Sequence, residues 1–181
     1  MPHGITCRGA GQCKQWCYEN KIVRIYKQVQ TARIRNYEFS RGQDFVKQIV
    51  EYLRKQKETI IRIHESGDFY DQPYLDSWKE IARQLPDKTF FAFTKSFDLD
   101  LWNKLPSNFL IIQSYGSKWD TLIDPKKSTA LVIDSLRPMK KGEYLCQYHD
   151  RAWRKVNKCG EACKYCCSKQ PKVKHVVFIR H

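Results

Sequence analysis

The sequence lacks any continuous apolar run of the roughly 18 residues that a membrane-spanning helix requires. Its first residues lack a basic stretch followed by an apolar core, so we expect no secretory signal peptide. Low-complexity segments and internal repeats are absent, and the apolar fraction of 41% excludes a disordered chain. These absences predict a cytoplasmic protein whose 181 residues form a single α/β domain over residues 1–181.

Acidic residues are scarce, since 19 Asp and Glu stand against 33 Lys and Arg and give a net charge of +14. The basic excess is concentrated in residues 21–62 and 137–181, whereas residues 63–136 are slightly acidic. An excess of this kind favours nucleic acid or another polyanion as a partner. The alternative is that the protein comes from an AT-rich genome whose proteins are generally rich in lysine, which accounts for the charge without any partner.

Short apolar or β-branched runs alternate with amphipathic helical stretches along the chain. The predicted strands are residues 59–64, 89–94, 109–113, 129–133 and 175–179. Helices are predicted over 17–33, 43–57 and 98–105, with a further helix that begins after Asp71 as its N-cap. This alternation predicts a parallel sheet of about five or six strands, either a partial (β/α) barrel or an open sheet.

Polar residues follow the apolar strands at the point where each strand ends. Ligands of parallel α/β sheets bind at this edge, so we predict an active site there. The candidate catalytic residues are His64, Glu65, Asp68 and Lys95. The candidate cofactor-binding residues are Ser66, Gly67, Thr94, Ser96, Gln113 and Ser114. A tight turn held by the Asp68 side chain is the structural alternative for the first strand end.

Eight cysteines fall into a group near each end of the chain. In a reducing compartment, cysteines bunched in this way are more typical of metal ligands than of disulfides. The N-terminal group has the spacing Cys-x5-Cys-x3-Cys, and the C-terminal group adds one isolated cysteine to a Cys-x3-Cys-x2-Cys-Cys run. The predicted metal ligands are Cys7, Cys13, Cys17, Cys146, Cys159, Cys163, Cys166 and Cys167.

A zinc site is typically built from two Cys-x2–4-Cys pairs separated by a loop, which the grouping of the cysteines in this chain suits poorly. Three thiols at one end and five at the other favour one or two [4Fe–4S] clusters, and zinc stays open as the alternative. The spacing of Cys159, Cys163 and Cys166 matches the signature of radical S-adenosylmethionine enzymes, which would add that cofactor. Against this, the signature normally follows the first barrel strand, and here only 15 residues follow Cys166.

Several motifs spread along the chain resemble one known family, the phage gene product 88 family. The shared elements are Thr6-Cys7, Cys13, Cys17-Tyr18, Arg35-Asn36, His64-x-Ser66-Gly67-Asp68-Phe69, Tyr74-x3-Trp78, Thr94-Lys95-Ser96, the late cysteine cluster and Val177-Phe178-x2-His181. The resemblance implies an iron–sulfur protein of phages and mobile elements and specifies no reaction. One departure is Cys167, which stands where the family pattern leads us to expect tryptophan.

Two functions from different classes are therefore expected. The first is an iron–sulfur enzyme that performs redox, radical or sulfur-transfer chemistry on a small molecule or nucleotide bound at the strand ends. The second is a non-catalytic protein in which the metal is structural and the basic flanks bind nucleic acid or a host protein. Inhibition of host machinery is compatible with either, and no membrane partner is expected.

Overall fold

A sheet of six parallel strands organises the computed structural model, which describes residues 1–157, 161–168 and 173–180. The strands are β1 (Ile60–Ile63), β2 (Thr89–Thr94), β3 (Phe109–Ser114), β4 (Thr129–Ile133), β5 (Glu143–Leu145) and β6 (His175–Ile179). Their order is β1-β2-β3-β4-β6-β5, so β1 and β5 form the two edges. Of the two predicted forms, the open parallel sheet is the one that the protein adopts.

The five predicted strands are all present, and the sequence pattern misses only the short β5. The central strands β2 and β3 are almost wholly apolar because both of their faces are covered. Strand β5 has three residues, too few to show an alternating pattern. It pairs in parallel with β6, where Tyr144 lies opposite Val176.

Two amphipathic helices cover one face of the sheet. These are α3 (Phe45–Arg54) and α4 (Gln72–Gln84), and a short helix α5 (Arg151–Val156) follows later in the chain. The predicted N-cap of α4 is confirmed, because the Asp71 side chain accepts a hydrogen bond of 2.8 Å from the Tyr74 amide. Among the described residues, no helix has the length and apolar character needed to cross a membrane.

The helix predicted over residues 98–105 is wrong, since this stretch forms turns. The ammonium group of Lys79 donates hydrogen bonds to the backbone carbonyls of Asp100 and Asn103, at 2.8 and 3.0 Å. The Asp100 carboxylate also accepts a hydrogen bond from the Asn103 amide. These partners replace the bonds that a helix would make, and Lys104 adopts a left-handed φ of 50°.

The helix predicted over residues 17–33 is divided into α1 (Tyr18–Ile25) and α2 (Lys27–Ser40). The break lies at Tyr26, whose φ and ψ of −120° and 85° are not helical. The apolar stripe that suggested one continuous helix is not buried, since Ile25 is 56% exposed. Charged side chains hold the two helices instead, as described below.

The two faces of the sheet have separate apolar cores, because successive strand residues point to opposite faces. The larger core packs Phe90, Ala92 and Phe109 against α3 and α4. The smaller core contains Ile112, Ala130 and Val176, with Phe93, Cys146, Tyr165, Cys166 and Phe178 packed around them. The C-terminal cysteine segment therefore covers the face opposite α3 and α4.

Candidate active site

The N-terminal cysteine loop, residues 7–17, lies across the carboxyl ends of the central strands. Ala10 forms an isolated antiparallel bridge with Ser117, which follows β3. The Ser117 hydroxyl hydrogen-bonds the carbonyls of Gly9 and Lys95, at 2.8 and 2.9 Å, and so joins the loop to the ends of β2 and β3. Only glycine fits at position 9, because a Cβ there would lie 1.9 Å from the Lys95 carbonyl oxygen.

This docking creates a cleft of about 200 Å³ at the predicted edge of the sheet. The three thiols of the loop line it, and so do all four candidate catalytic residues. Four of the six candidate cofactor contacts also line it. The predicted residues that meet here are Cys7, Cys13, Cys17, His64, Glu65, Ser66, Gly67, Asp68, Thr94, Lys95 and Ser114.

The other two candidate cofactor contacts, Ser96 and Gln113, do not line the cleft. Ser96 is fully buried, and its hydroxyl donates to the Phe69 carbonyl at 2.8 Å. The Gln113 amide exchanges hydrogen bonds of 2.9 and 3.0 Å with the backbone of Asp124. Both side chains hold loops behind the cleft wall.

Asp68 is a buried carboxylate with three hydrogen-bond donors. It accepts from the Thr94 hydroxyl at 2.6 Å and from the amides of Lys95 and Phe69, both at 2.7 Å. Burial raises the pKa of Asp68 to about 6, although the hydrogen bonds from Thr94, Lys95 and Phe69 act in the opposite direction. Asp68 can therefore bind and release a proton near neutral pH, while its hydrogen bonds also fix the turn that the structural alternative predicts.

His64 ends β1 in a left-handed conformation, with a φ of 62° that is uncommon for residues other than glycine. Its Nε2 lies 2.9 Å from the Tyr74 hydroxyl, and its ring packs edge-on against Phe69. Burial lowers the pKa of His64 to about 3, so the imidazole is neutral at pH 7. Its Nδ1 and the hydroxyl of Ser66 are buried polar atoms without a hydrogen-bond partner among the residues that the structure describes.

The carboxylates of Glu19 and Glu65 share one cation, Arg33 of α2. The guanidinium pairs with Glu19 through both of its terminal nitrogens, and both side chains are almost fully buried. It also lies 3.3 Å from the carboxylate of Glu65, which is 73% exposed. Arg33 thus offsets one of these two negative charges, and its pairing with Glu19 joins α1 to α2.

The cations at the cleft are not neutralised in the same way. The Lys95 ammonium donates to the neutral hydroxyl of Ser114 at 2.5 Å. The guanidinium of Arg62 lies over the Phe93 ring, 5.4 Å from its centroid. With two of its acids paired to Arg33, the cleft can attract an anionic group.

The three thiols of the loop are close enough to influence one another. Burial raises the pKa of the Cys7 thiol, and the neighbouring Asp68, Cys17 and Cys13 raise it further. Burial also raises the pKa of the Cys17 thiol. Within residues 1–157, 161–168 and 173–180, no group of three or more His, Cys, Asp or Glu side chains is arranged to hold a metal ion.

The C-terminal thiols do not reach this cleft. Cys146 and Cys166 pack in the smaller core, to which the cleft residue Phe93 also belongs, and Cys163 lies 3.4 Å from the Tyr144 hydroxyl. The Cys163 contact raises the pKa of Tyr144 to about 12. Cys167 is buried, and its thiol donates to the Lys164 carbonyl at 3.4 Å. The predicted ligand Cys159 and the motif residue His181 lie outside the described residues.

Several residues of the cleft escape the sequence analysis. The Glu19–Arg33 pair spans two helices and leaves no local pattern, and Tyr74 belongs to a shared motif that does not indicate its contact with His64. Arg62 does leave a signal, because a charged residue inside an otherwise apolar strand is unusual unless it faces a polar site.

Comparison with known proteins supports the resemblance seen in the motifs. The family model described as "Gene product 88" matches residues 1–175. The Gene 88 protein of Mycobacterium phage L5 is 23% identical over 184 residues, which cover 90% of this chain and 77% of the phage protein. The Gene 88 protein of Mycobacterium phage D29 is 26% identical over 104 residues, which cover 51% of this chain and 43% of that protein.

No solved structure matches this chain significantly. The family match takes in every shared motif except the terminal Val177-Phe178-x2-His181, including those of the cysteine loop, the polar strand ends and the C-terminal cysteine segment. The chain therefore belongs to the gene product 88 family.

Proposed function

We propose that the protein is an iron–sulfur enzyme whose active site is the cleft at the carboxyl ends of β1, β2 and β3. The observation that carries this proposal is the meeting of three thiols from one loop with a buried acid and a lysine. Cys7, Cys13 and Cys17 line the same cleft as Asp68 and Lys95. A purely structural metal site has no use for a proton-exchanging acid beside its ligands.

The residues of the cleft fit a sulfur-ligated cluster by their chemistry. Thiolates are the ligands that iron–sulfur clusters prefer, although zinc also accepts them. The Nδ1 of His64 and the hydroxyl of Ser66, which have no partner among the described residues, are further polar atoms at the cleft wall that could contact a bound group. Buried polar atoms normally have partners. Binding must draw the thiols together and release their protons, because burial favours their protonated form.

When bound, such a cluster would supply one-electron chemistry, and the side chains around it would bind and orient the substrate. Lys95 and Arg62 can hold an anionic substrate group. Asp68 can accept or return a proton with little energetic cost near neutral pH, since its pKa is about 6. The neutral imidazole of His64 is held in place by Tyr74, and Nδ1 can accept a hydrogen bond in the tautomer in which Nε2 donates to the Tyr74 hydroxyl.

The test is the metal content of protein purified without oxygen. We expect iron and acid-labile sulfide with charge-transfer absorbance in the wild-type protein, and a marked loss of iron in Cys13→Ser. Cys167→Ser is the matched control, because serine can keep the hydrogen bond to the Lys164 carbonyl.

A colourless protein with stoichiometric zinc, or full iron content in Cys13→Ser, contradicts the proposal. Loss of iron in Cys163→Ser as well would indicate that the C-terminal thiols also hold iron. A change in the electron paramagnetic resonance signal on addition of S-adenosylmethionine would assign the radical form of the chemistry.

A further inference from the structure

A groove between α1 and α2 runs to the mouth of the cleft. His3 lines both the groove and the cleft and hydrogen-bonds Asn20 of the groove, so the two depressions adjoin at this residue. The polar residues of the groove are His3, Asn20, Arg24, Lys27, Gln30 and Thr31. A ligand longer than the cleft can therefore extend from it along the two helices.

The groove is positively charged and contains no carboxylate. Arg24 and Lys27 are exposed and make no ion pair with any residue that the structure describes. The acids nearest in the fold, Glu19 and Glu65, are paired with Arg33. The positive charge of Arg24 and Lys27 is thus available to an external anion, and a row of cations favours a polyanion.

Aromatic side chains lie in the adjoining cleft and at the break between α1 and α2. Trp16 and Tyr18 line the cleft, and Tyr18 is 51% exposed. Tyr26, at the break between the helices, is also 51% exposed. Exposed aromatics beside a cationic groove are typical of surfaces on which the bases of a single strand stack.

We propose that this groove binds the phosphate backbone of a single-stranded nucleic acid and directs one of its nucleotides into the cleft. The substrate class of the enzyme is then a nucleic acid strand, an inference that rests on the function proposed for the cleft. Amide and hydroxyl side chains beside Arg24 and Lys27 suit phosphate and sugar contacts, which carry no sequence preference. The bases contribute through stacking on the aromatic rings.

The test measures binding of a fluorescent oligodeoxythymidine of about 20 nucleotides by anisotropy, over about 0.05 to 0.3 M KCl. The double variant Arg24→Ala, Lys27→Ala should make the negative slope of log affinity against log salt less steep by about 1.4, about 0.7 for each lost cation. At 0.1 M salt this corresponds to about 25-fold weaker binding than that of the wild-type protein. Arg54→Ala, Lys55→Ala is the matched control. It removes the same charges from exposed positions at the end of α3, outside the groove.

Equal losses in the two double variants, no binding by the wild-type protein, or a preference for duplex DNA would overturn the inference. Iron content measured on the same samples distinguishes a failure of this inference from a failure of the function proposed for the cleft. Oligonucleotide binding by an iron-free wild-type protein would contradict that function alone. Iron-loaded protein that binds no oligonucleotide would contradict this inference alone.

Discussion

Asp68 and His64 lie at the end of one strand, and burial shifts their pKa values so that both favour the neutral form. The pKa of Asp68 rises from 3.8 to about 6, so its contribution to folding is complete below about pH 4 and is lost as pH rises through 6. The pKa of His64 falls from 6.5 to about 3, so its contribution is present above pH 6.5 and is lost as pH falls towards 3. Between pH 4 and 6 the two contributions therefore oppose each other.

This opposition predicts different pH profiles for two variants. Relative to the wild-type protein, the unfolding free energy of Asp68→Asn should increase by about 1.4 kcal/mol per pH unit between pH 4 and 6, because only His64 then titrates. The unfolding free energy of His64→Gln should decrease as pH rises over the same range, because only Asp68 then titrates. Urea denaturation followed by circular dichroism measures both, and parallel profiles for all three proteins would contradict the shifted pKa values.

Some of the residues that line the cleft can be predicted from the sequence, and others cannot. His64, Asp68 and Lys95 are predictable because each follows a strand whose end is visible in the pattern. Ser96 and Gln113 follow or end strands equally well, yet their side chains turn towards the backbone of Phe69 and Asp124. The direction of a side chain beyond a strand end depends on loop geometry, which no periodicity reports.

At the scale of elements, the join between α1 and α2 depends on a buried ion pair. Arg33→Met should destabilise the protein by about 3–5 kcal/mol, because Glu19 would remain buried without a cation. The double variant Arg33→Met, Glu19→Leu should recover most of this loss. Urea midpoints compare the three proteins, and a double variant as unstable as the single one would show that Arg33 acts through packing.

The same pair explains why the break between these helices is unpredictable. The stripe from Tyr18 to Val29 has the period of one helix, but the residues that fix the two helices are charged and lie outside that stripe. The helix wrongly predicted over 98–105 fails for a related reason. Lys79 of α4 donates hydrogen bonds to two backbone carbonyls within this stretch, those of Asp100 and Asn103.

At the scale of the whole molecule, the cysteine loop is held by residues far along the chain. Gly9→Ala should displace the loop, because the new Cβ would clash with the Lys95 carbonyl. We expect faster alkylation of Cys7, Cys13 and Cys17 and little change in the circular dichroism of the sheet. Gly42→Ala is the control, since its nearest neighbour is the Phe39 carbonyl at 3.3 Å. Unchanged alkylation would show that the loop tolerates the contact.

The fold as a whole was the most predictable level, since the α/β alternation and five of the six strands follow from apolar runs alone. Two facts were beyond the sequence. The C-terminal cysteines pack in the smaller core without lining the cleft, and His3 lines both the cleft and the groove. Both depend on how distant segments pack.

The contact between Gly9 and Ser117 spans 108 positions of the chain. During synthesis the thiols of the loop are therefore made long before the surface on which they dock. Until β3 and the turn after it have left the ribosome, these cysteines remain solvent-exposed and open to oxidation. Timing of assembly, as much as geometry, then decides whether the three thiols reach the cleft in their reduced form.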